Sequence, residues 1–229
     1  MTRYQPEHKQ QTRRRLIESA VTAFRRDGVE SAGLKQIMQE MGLTAGGFYR
    51  HFSSKSQLVQ SAVAQGLLQS LEQFRRTSAG DGPNDARADS DGIGSIERFA
   101  TAYLSEPHRR SIAKGCVLAA LGADIARSDS EVKAACEAGL REMHAELLRC
   151  LPTGSEELRE RLWGLMALEL GGLLLSRMVA EEETAAEILT SCRRAVKAML
   201  DPQPVRRSTG PRRRKRPREK STKKDAAKR

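Results

Sequence analysis

Residues 34–52 constrain the fold of this chain more than any other stretch. The first half carries apolar side chains at the i, i+3, i+4 and i+7 spacing of one helix face, namely Leu34, Ile37, Met38 and Met41. Gly42 follows directly, at a position where a left-handed residue commonly ends a helix. Thr44 is then placed to cap a second, very short helix. Two short helices joined by a three-residue turn that contains glycine form a helix-turn-helix.

Two glycines on the leading turn of the second helix favour a functional interpretation. A glycine inside an exposed helix costs about 1 kcal/mol relative to alanine, so Gly46 and Gly47 weaken this helix. Small residues let a recognition helix approach a DNA groove closely, which would justify that cost. The alternative is a loose turn between two core helices. The polar and aromatic run of residues 49–55 favours the recognition helix.

Residues 37–58 resemble the signature of the tetracycline-repressor (TetR/AcrR) family of bacterial regulators. The similarity extends over residues 11–60. Five residues fall at the spacing of the family, namely Gly42, Tyr49, Phe52, Lys55 and Leu58. The resemblance implies a repressor that a small-molecule effector releases from a palindromic site on double-stranded DNA. It also implies a homodimer formed through a four-helix bundle of the last two helices of each subunit.

The resemblance also implies which residues contact DNA. Thr44, Tyr49 and Lys55 would contact phosphates. The residues facing the groove would be Ala45, Gly46, Gly47 and His51. Lys35, a basic residue in the first helix of the motif, completes the set of candidate DNA contacts.

Composition and periodicity indicate an all-α protein. Aromatic residues make up only 4% of the chain, and no sustained alternation of apolar and polar residues indicates a strand. No apolar run reaches the roughly 18 residues of a membrane span, so no membrane association is expected. The N-terminus has no apolar signal region, and four cysteines without close pairing indicate a reducing cytoplasm.

The chain divides into three segments by charge and pattern. Residues 1–54 form the predicted three-helix DNA-binding domain with its helix-turn-helix, and residues 55–201 the predicted helical effector-binding and dimerisation domain. Residues 202–229 form a predicted disordered basic tail with a net charge of +11. Such a tail favours nonspecific attraction to DNA; a merely solubilising tail is the alternative.

Helical patterns continue through the predicted second domain. We expect helices over 12–27, 54–76, 93–105, 114–127, 130–151, 156–180 and 184–200, with a mobile loop over 77–92. Pro107 should interrupt the helical pattern, with one helical turn over 108–113. The helix over 156–180 is apolar on nearly all sides and must be covered on all sides. A second subunit is the simplest cover, and a fully internal helix is the alternative.

The expected effector site combines apolar walls with a few polar groups. Its candidate residues are Phe99, Tyr103, His108, Cys116, Met143, Trp163, Met166 and Glu169. His144 is a further candidate polar group. No pattern predicts a metal site, a cofactor or enzyme activity.

Three other interpretations stay open at this point. One is a thiol-based sensor of electrophiles or oxidants, because Lys114, Arg109 and Arg110 lie near Cys116 in sequence and positive charge lowers the pKa of a thiol. A buried packing role for Cys116 competes with it. The others are an architectural DNA-coating protein and an enzyme that retains a helix-turn-helix.

The basic tail leads to a first prediction. Each phosphate neutralised contributes about −0.9 to the slope of log affinity against log salt on duplex DNA. We expect a chain that ends at Pro202 to bind DNA more weakly at low salt with a shallower slope, while it retains its preference for an operator over random DNA. Both affinities measured at three salt concentrations test this, and an unchanged slope would contradict it.

Overall fold

Helices make up most of the chain that the computed structural model describes, residues 6–79 and 92–201. Ten helices lie in these two ranges: α1 (Pro6–Asp27), α2 (Leu34–Glu40), α3 (Ala45–Phe48), α4 (Lys55–Ala79), α5 (Gly92–Tyr103), α6 (Glu106–Arg110), α7 (Val117–Arg127), α8 (Ser130–Cys150), α9 (Glu156–Met178) and α10 (Glu182–Leu200). No strand occurs in either range, and the all-α expectation is confirmed. None of these helices combines the length and apolar character that a membrane crossing requires.

Three stretches of the chain lie outside the described residues. They are residues 1–5, residues 80–91 of the predicted loop, and the predicted basic tail 202–229. The ends of that predicted loop are helical, because α4 continues to Ala79 and α5 begins at Gly92.

The turn between α2 and α3 has the geometry that the sequence predicts. Gly42 has a left-handed φ of 68°. The backbone N–H of Leu43 donates to the carbonyl oxygen of Met38 at 2.8 Å, and that of Gly42 donates to Gln39 at 2.9 Å. This pair of bonds is a Schellman motif, which satisfies the last carbonyls of α2 and directs the chain into α3.

The longest helix, α4, joins the N-terminal helices to the rest of the chain. Its first half contributes Leu58, Ala62 and Val63 to a buried cluster that also contains side chains from α1, α2, α3 and α7. Its second half contributes Leu71 and Phe74 to another cluster, formed with α5, α8, α9 and α10. A displacement of α4 would therefore disturb the packing of both clusters, since close-packed interiors transmit strain.

The segment between α5 and α7 differs from the sequence prediction. The helix does stop before Pro107, since α5 ends at Tyr103, but Pro107 itself lies in the first turn of α6, where a missing N–H has no cost. That short helix covers Glu106–Arg110 and not the predicted turn over 108–113. Ser105 caps α6 by accepting a hydrogen bond from the N–H of His108 at 3.4 Å. Cys116 occupies the N-cap position of α7, so that helix begins at Val117 and not at Lys114. The prediction missed Ser105 as the cap.

The helices α9 and α10 pack closely along one side of α9. A Cβ atom at Gly172 would lie 2.7 Å from Sγ of Cys192, so glycine is required for this approach. Several large apolar side chains on other sides of α9 stay exposed within one chain, namely Trp163, Leu174, Leu175 and Met178. The alternative of a fully internal helix is therefore wrong for the single subunit.

Gly66 in the middle of α4 leads to a prediction about stability. A Cβ atom there would lie 2.7 Å from Cβ of Val117 in α7. We expect Gly66→Ala to lower the free energy of unfolding by about 1–3 kcal/mol, because overpacking displaces α7 from α4. Urea unfolding at one fixed protein concentration measures the change.

Gly122→Ala in α7 is the matched control. A Cβ atom at Gly122 meets nothing within 4 Å, so alanine should stabilise the chain by about 0.5–1 kcal/mol through its helix propensity. Two variants of equal stability would contradict the assignment of Gly66 as a packing contact.

Candidate nucleic-acid interface and effector cavity

Two stacked aromatic rings fix α3 on the N-terminal helices. Phe48 and Phe52 are 0% and 1% exposed, and their ring centroids lie 5.6 Å apart. The guanidinium of Arg13 lies over the Phe52 ring, 4.6 Å from its centroid. The same side chain donates to Oγ of Ser61 at 3.3 Å, which ties α1 to α4. Because these contacts bury one side of α3, the opposite side of the helix faces solvent.

The outward side of α3 carries almost no side chain. Gly46 is exposed, and a Cβ atom there would meet nothing within 4 Å. A Cβ atom at Gly47 would lie 3.7 Å from Met38 and from Thr44, which is ordinary contact. Neither glycine has a left-handed φ. The fold would therefore accept alanine at both positions, and the helix-weakening glycines must be explained by what approaches this surface.

The polar candidates surround this glycine surface. Tyr49 is 69% exposed, with its ring edge-on to that of Phe48. Lys35 and Thr44 are also exposed. Thr44 occupies the N-cap position of α3, yet its hydroxyl makes no cap hydrogen bond. Its hydroxyl can therefore bond to a ligand. Only the backbone of Ala45, the first residue of α3, is described.

Lys55 begins α4 beside the same surface. Its ammonium group donates to the carbonyl oxygen of Glu30 at 3.4 Å, so the side chain is held back toward the loop before α2. Ser54 caps α4 by accepting from the N–H of Gln57 at 3.1 Å. The side chain of Gln57 accepts from the N–H of Ser53 at 2.8 Å. The helix end at Lys55 is thus well formed and has the positive dipole that favours an anion.

His51 lies half-buried at a groove beside α3. The groove has a volume of about 420 Å³ and is lined by Thr12, Leu43, Thr44, Gly46, Gly47, Arg50 and His51. Nδ1 of His51 is buried without a hydrogen-bond partner. Burial, followed by the positive charges of Lys9, Arg13 and Arg50, lowers the pKa of His51. The imidazole is therefore neutral at neutral pH, and the cations around it suit a polyanion. Arg50 is a member of this groove that the sequence analysis missed.

The candidate effector residues meet in the second half of the fold. Seven of them, all except His108, line one cavity of about 220 Å³, together with Leu67, Ser70, Leu118, Leu140, Leu147, Ala167 and Leu170. A wider cavity of about 550 Å³ shares Ser70, Phe99, Tyr103 and Cys116 with it and contains His108. The structure thus brings all eight predicted residues to two adjoining cavities. His144 lines neither of them and stacks on Trp163 with ring centroids 4.3 Å apart.

His108 has structural partners for both ring nitrogens. Nδ1 lies 2.7 Å from the carbonyl oxygen of Tyr103, and Nε2 accepts from the N–H of Cys116 at 3.1 Å. This assigns the neutral tautomer with its proton on Nδ1. Burial lowers the pKa of His108, which agrees with a neutral ring. The side chain joins α5 to the start of α7 and has no nitrogen free for an effector.

The charges near Cys116 differ from those that the sequence suggested. Arg109 and Arg110 form ion pairs with Glu106 and Glu182 instead of facing the thiol. Cys116 itself is 6% exposed.

Lys114 lines the wider cavity with Cys116, as the sequence suggested, and two further cations near this thiol come from distant parts of the chain. Arg25 of α1 lines the wider cavity with Cys116. Arg177 of α9 donates to the carbonyl oxygens of His108 and Arg109, both at 3.0 Å. No local sequence signal links Arg25 or Arg177 to Cys116.

Glu169 is the polar group most deeply placed in the smaller cavity. Its side chain lies on the inner side of α9 and is 5% exposed, and its Oε1 atom has no hydrogen-bond partner. Burial raises the pKa of this carboxyl to about 8. Within the described residues, no group of three or more His, Cys, Asp or Glu side chains could hold a metal ion.

Comparisons with known proteins agree with this geometry. The family model "Bacterial regulatory proteins, tetR family" matches residues 16–62, which comprise most of α1, the helix-turn-helix and the start of α4. The uncharacterized HTH-type transcriptional regulator YfiR of Bacillus subtilis is 31% identical over 72 residues, 31% of this chain and 35% of the relative. The nicotine-responsive transcriptional repressor HdnoR of Paenarthrobacter nicotinovorans is 38% identical over 76 residues, 33% of this chain and 38% of the relative.

Similarity to solved structures extends over the whole fold. The reduced form of NemR from E. coli superposes with a TM-score of 0.65 at 17% identity, over 82% of this chain and 96% of that one. A TetR-family regulator from Streptomyces coelicolor gives 0.60 at 20% identity, over 83% and 95%. In sequence, the chain spans little more than a third of the length of the curated relatives that it matches. The part of the chain after this match is similar to known structures in fold alone.

The glycine surface of α3 leads to a prediction about DNA. We expect Gly46→Leu to leave the fold intact, since its Cβ meets nothing within 4 Å. Affinity for an operator selected by the wild-type protein from random DNA should fall about 100-fold, because each base that the helix can no longer reach costs about 1–3 kcal/mol. Gly122→Leu, at an exposed glycine of α7, is the control and should bind normally. Normal binding by a folded Gly46→Leu variant would show that α3 does not enter the groove.

Proposed function

We propose that this chain is a TetR/AcrR-family transcriptional regulator that a small molecule controls, because its N-terminal domain matches the model of that family and its fold is similar to that of a TetR-family regulator. In this proposal residues 1–54 bind a DNA operator and residues 55–201 bind the effector and form the dimer. The single observation that carries it is the side-chain-free outer surface of α3, framed by Thr44 and Tyr49 and by the cations around His51. Repression is the form of regulation that we favour. A regulator of bacterial DNA acts in the cytoplasm.

DNA recognition in this proposal divides between two kinds of contact. The backbone of α3 approaches the base edges at Gly46 and Gly47, where no side chain holds the groove away. Thr44, Tyr49 and Lys55 bond to phosphates, which fix the orientation of the helix without reading sequence. The exposed positions of Thr44 and Tyr49 support this assignment. Lys55 would have to exchange its carbonyl partner for a phosphate oxygen, which a lysine side chain can do at small cost.

A homodimer would place two such helices on one operator. We assign the dimer contact to α9 and α10, because Leu174, Leu175 and Met178 form an apolar surface on α9 that a single subunit leaves exposed. A two-fold dimer reads a palindrome whose half-sites lie about 34–36 Å apart, one turn of DNA. Any movement that changes this spacing weakens binding to both half-sites at once.

The helix α4 connects the effector cavity to the DNA surface. Leu67 and Ser70 of α4 line the cavity, and Lys55 lies 12 residues before Leu67 on the same helix, a distance of about 18 Å at 1.5 Å per residue. Arg25 of α1 also reaches the wider cavity and donates to the carbonyl oxygen of Gly66 at 3.4 Å. An effector that displaces these groups would shift α1 and α4 together. The coupling is reciprocal, so bound DNA weakens effector binding by the same factor.

The names of the relatives support regulation and do not identify the effector. The two relatives reported above are named as transcriptional regulators, and one of them is named as responsive to nicotine. The matching region ends well before the cavity residues of α8 and α9. The effector must therefore be inferred from the cavity of this chain.

The test is a footprint on operator DNA selected by the full chain from a random library. We expect protection of a short palindrome of two half-sites. A protected region that lengthens with protein concentration and has no defined sequence would instead indicate an architectural DNA-coating protein. Failure to select any sequence would contradict the proposal.

The exposed apolar surface of α9 leads to a prediction about the dimer. We expect Leu175→Glu to dissociate it, because a carboxylate buried at an apolar interface is left unpaired. Light scattering should show a monomer, and operator protection should be lost. Leu68→Glu on α4, where leucine is also exposed, is the control and should remain a dimer that protects the operator. If the Leu175→Glu variant remained a dimer, the interface would have to lie elsewhere.

A further inference from the structure

Glu169 is an acid placed where the chain provides nothing to neutralise it. It lies on the buried side of α9, near Leu165 and Leu173, which are 2% and 0% exposed. Its Oε1 atom has no hydrogen-bond partner. An unpaired carboxyl in apolar surroundings destabilises a fold, since neither water nor a protein donor replaces its lost hydration. A residue that serves only packing would be apolar at this position, so Glu169 needs another explanation.

The groups around the cavity do not supply a counterion. From α4 and α8 the lining side chains are Leu67, Ser70, Leu140, Met143 and Leu147, none of which carries charge. From α5 and the start of α7 they include Tyr103 and Cys116.

Four cations lie near the two cavities, and none contributes to the shifted pKa of Glu169. Arg76 and Lys114 line only the wider cavity. Arg177 donates to the carbonyl oxygens of His108 and Arg109, and Arg25 donates to that of Gly66. Burial alone raises the pKa of Glu169, and no charged group in the described chain contributes to this shift.

We propose, on the basis of the function proposed above, that the effector is an organic cation with an apolar body, and that the carboxylate of Glu169 is its counterion. Aromatic side chains make the rest of the cavity suitable for such a molecule, because Phe99, Tyr103 and Trp163 line it and a cation is attracted to aromatic rings. The volume of about 220 Å³ lies below the range of about 300–1,000 Å³ of pockets for drug-sized ligands, so a small amine or ammonium of one ring fits best.

Binding of such a cation must release a proton. Because burial raises the pKa of Glu169 to about 8, roughly nine in ten of these carboxyls are protonated at pH 7. A permanent cation binds the ionised form, so affinity should rise about tenfold per pH unit below pH 8 and level off above it.

The other groups at the two cavities do not supply this linkage. Tyr103 has a pKa raised well above its ordinary value by burial, so it keeps its proton through this range. His108 has a lowered pKa and is neutral above pH 7. Arg25 and Arg177 have pKa values that burial lowers from 12.5, and each retains a carbonyl partner for its charge.

The test compares a cation with its neutral isostere on the full chain without DNA. Benzyltrimethylammonium and neopentylbenzene have the same shape and differ by one charge. Trp163 is the single tryptophan of the chain and lines the cavity, so its fluorescence reports binding directly. We expect the cation to bind at least tenfold more tightly than the isostere at pH 8. Calorimetry in buffers of different ionisation enthalpy should show release of close to one proton at pH 7.

The matched variants are Glu169→Gln and Glu160→Gln, on the buried and exposed sides of the same helix. Glu169→Gln should lose the preference for the cation, the pH dependence and the proton release, while it keeps its affinity for the isostere. Glu160→Gln should behave as the wild type. Equal affinity of the wild type for the two probes, or cation binding without proton release, would overturn the proposal; the wild-type measurements decide even if Glu169→Gln does not fold.

Failure of this inference is distinguishable from failure of the proposed function. Operator protection with no preference for the cation would contradict the assignment of Glu169 alone. A cation that binds with proton release but leaves operator protection unchanged would support the assignment of Glu169 and contradict effector control of DNA binding.

Discussion

The close packing of α4 on α7 at Gly66 is the constraint on which the rest of this structure depends. Only a residue without a side chain lets Val117 approach α4 so closely. This approach places Cys116, the N-cap of α7, beside Tyr103 and the cavities. At the same turn, the carbonyl oxygen of Gly66 accepts a hydrogen bond from the guanidinium of Arg25. The N-terminal helices and the cavity wall thus meet at one turn of α4, and in the function proposed above this turn would connect a bound ligand to the DNA-binding helices.

Local signals predicted the helix-turn-helix almost completely. The stripe from Leu34 to Met41, the left-handed Gly42 and the N-cap position of Thr44 are set by neighbours in sequence. The structure agrees with the first two and places Thr44 at the N-cap, but its hydroxyl does not make the expected cap hydrogen bond. The short helix at Pro107 was predicted two residues too late, because a proline can follow the end of one helix or begin the next, depending on where the cap lies. Ser105 is that cap. A serine hydroxyl can also bond to other nearby backbone groups, and the sequence does not show which of these bonds forms.

The effector cavity shows which parts of a site a sequence can predict. Its apolar members were identifiable because Phe99, Met143 and Met166 lie on helix faces that must be buried. Glu169 was also identified, but the two arginines near Cys116 were not, since Arg25 and Arg177 lie far from it in sequence. His108 looked free in the sequence because backbone atoms, which no sequence pattern displays, hold both of its nitrogens.

Selection for stability alone does not account for either of two features of this chain. Gly46 and Gly47 weaken a helix whose packing would accept alanine, and Glu169 buries an acid among leucines. The first lies on the surface of the N-terminal helices and the second in the core that α4 shares with α9. Each feature lowers the stability of the free chain. In the proposals above, bound DNA would offset this loss for the glycines, and a bound cation would offset it for the carboxyl group. Because α4 packs in both buried clusters, the function proposed above would let the two partners compete through this one helix rather than through direct contact.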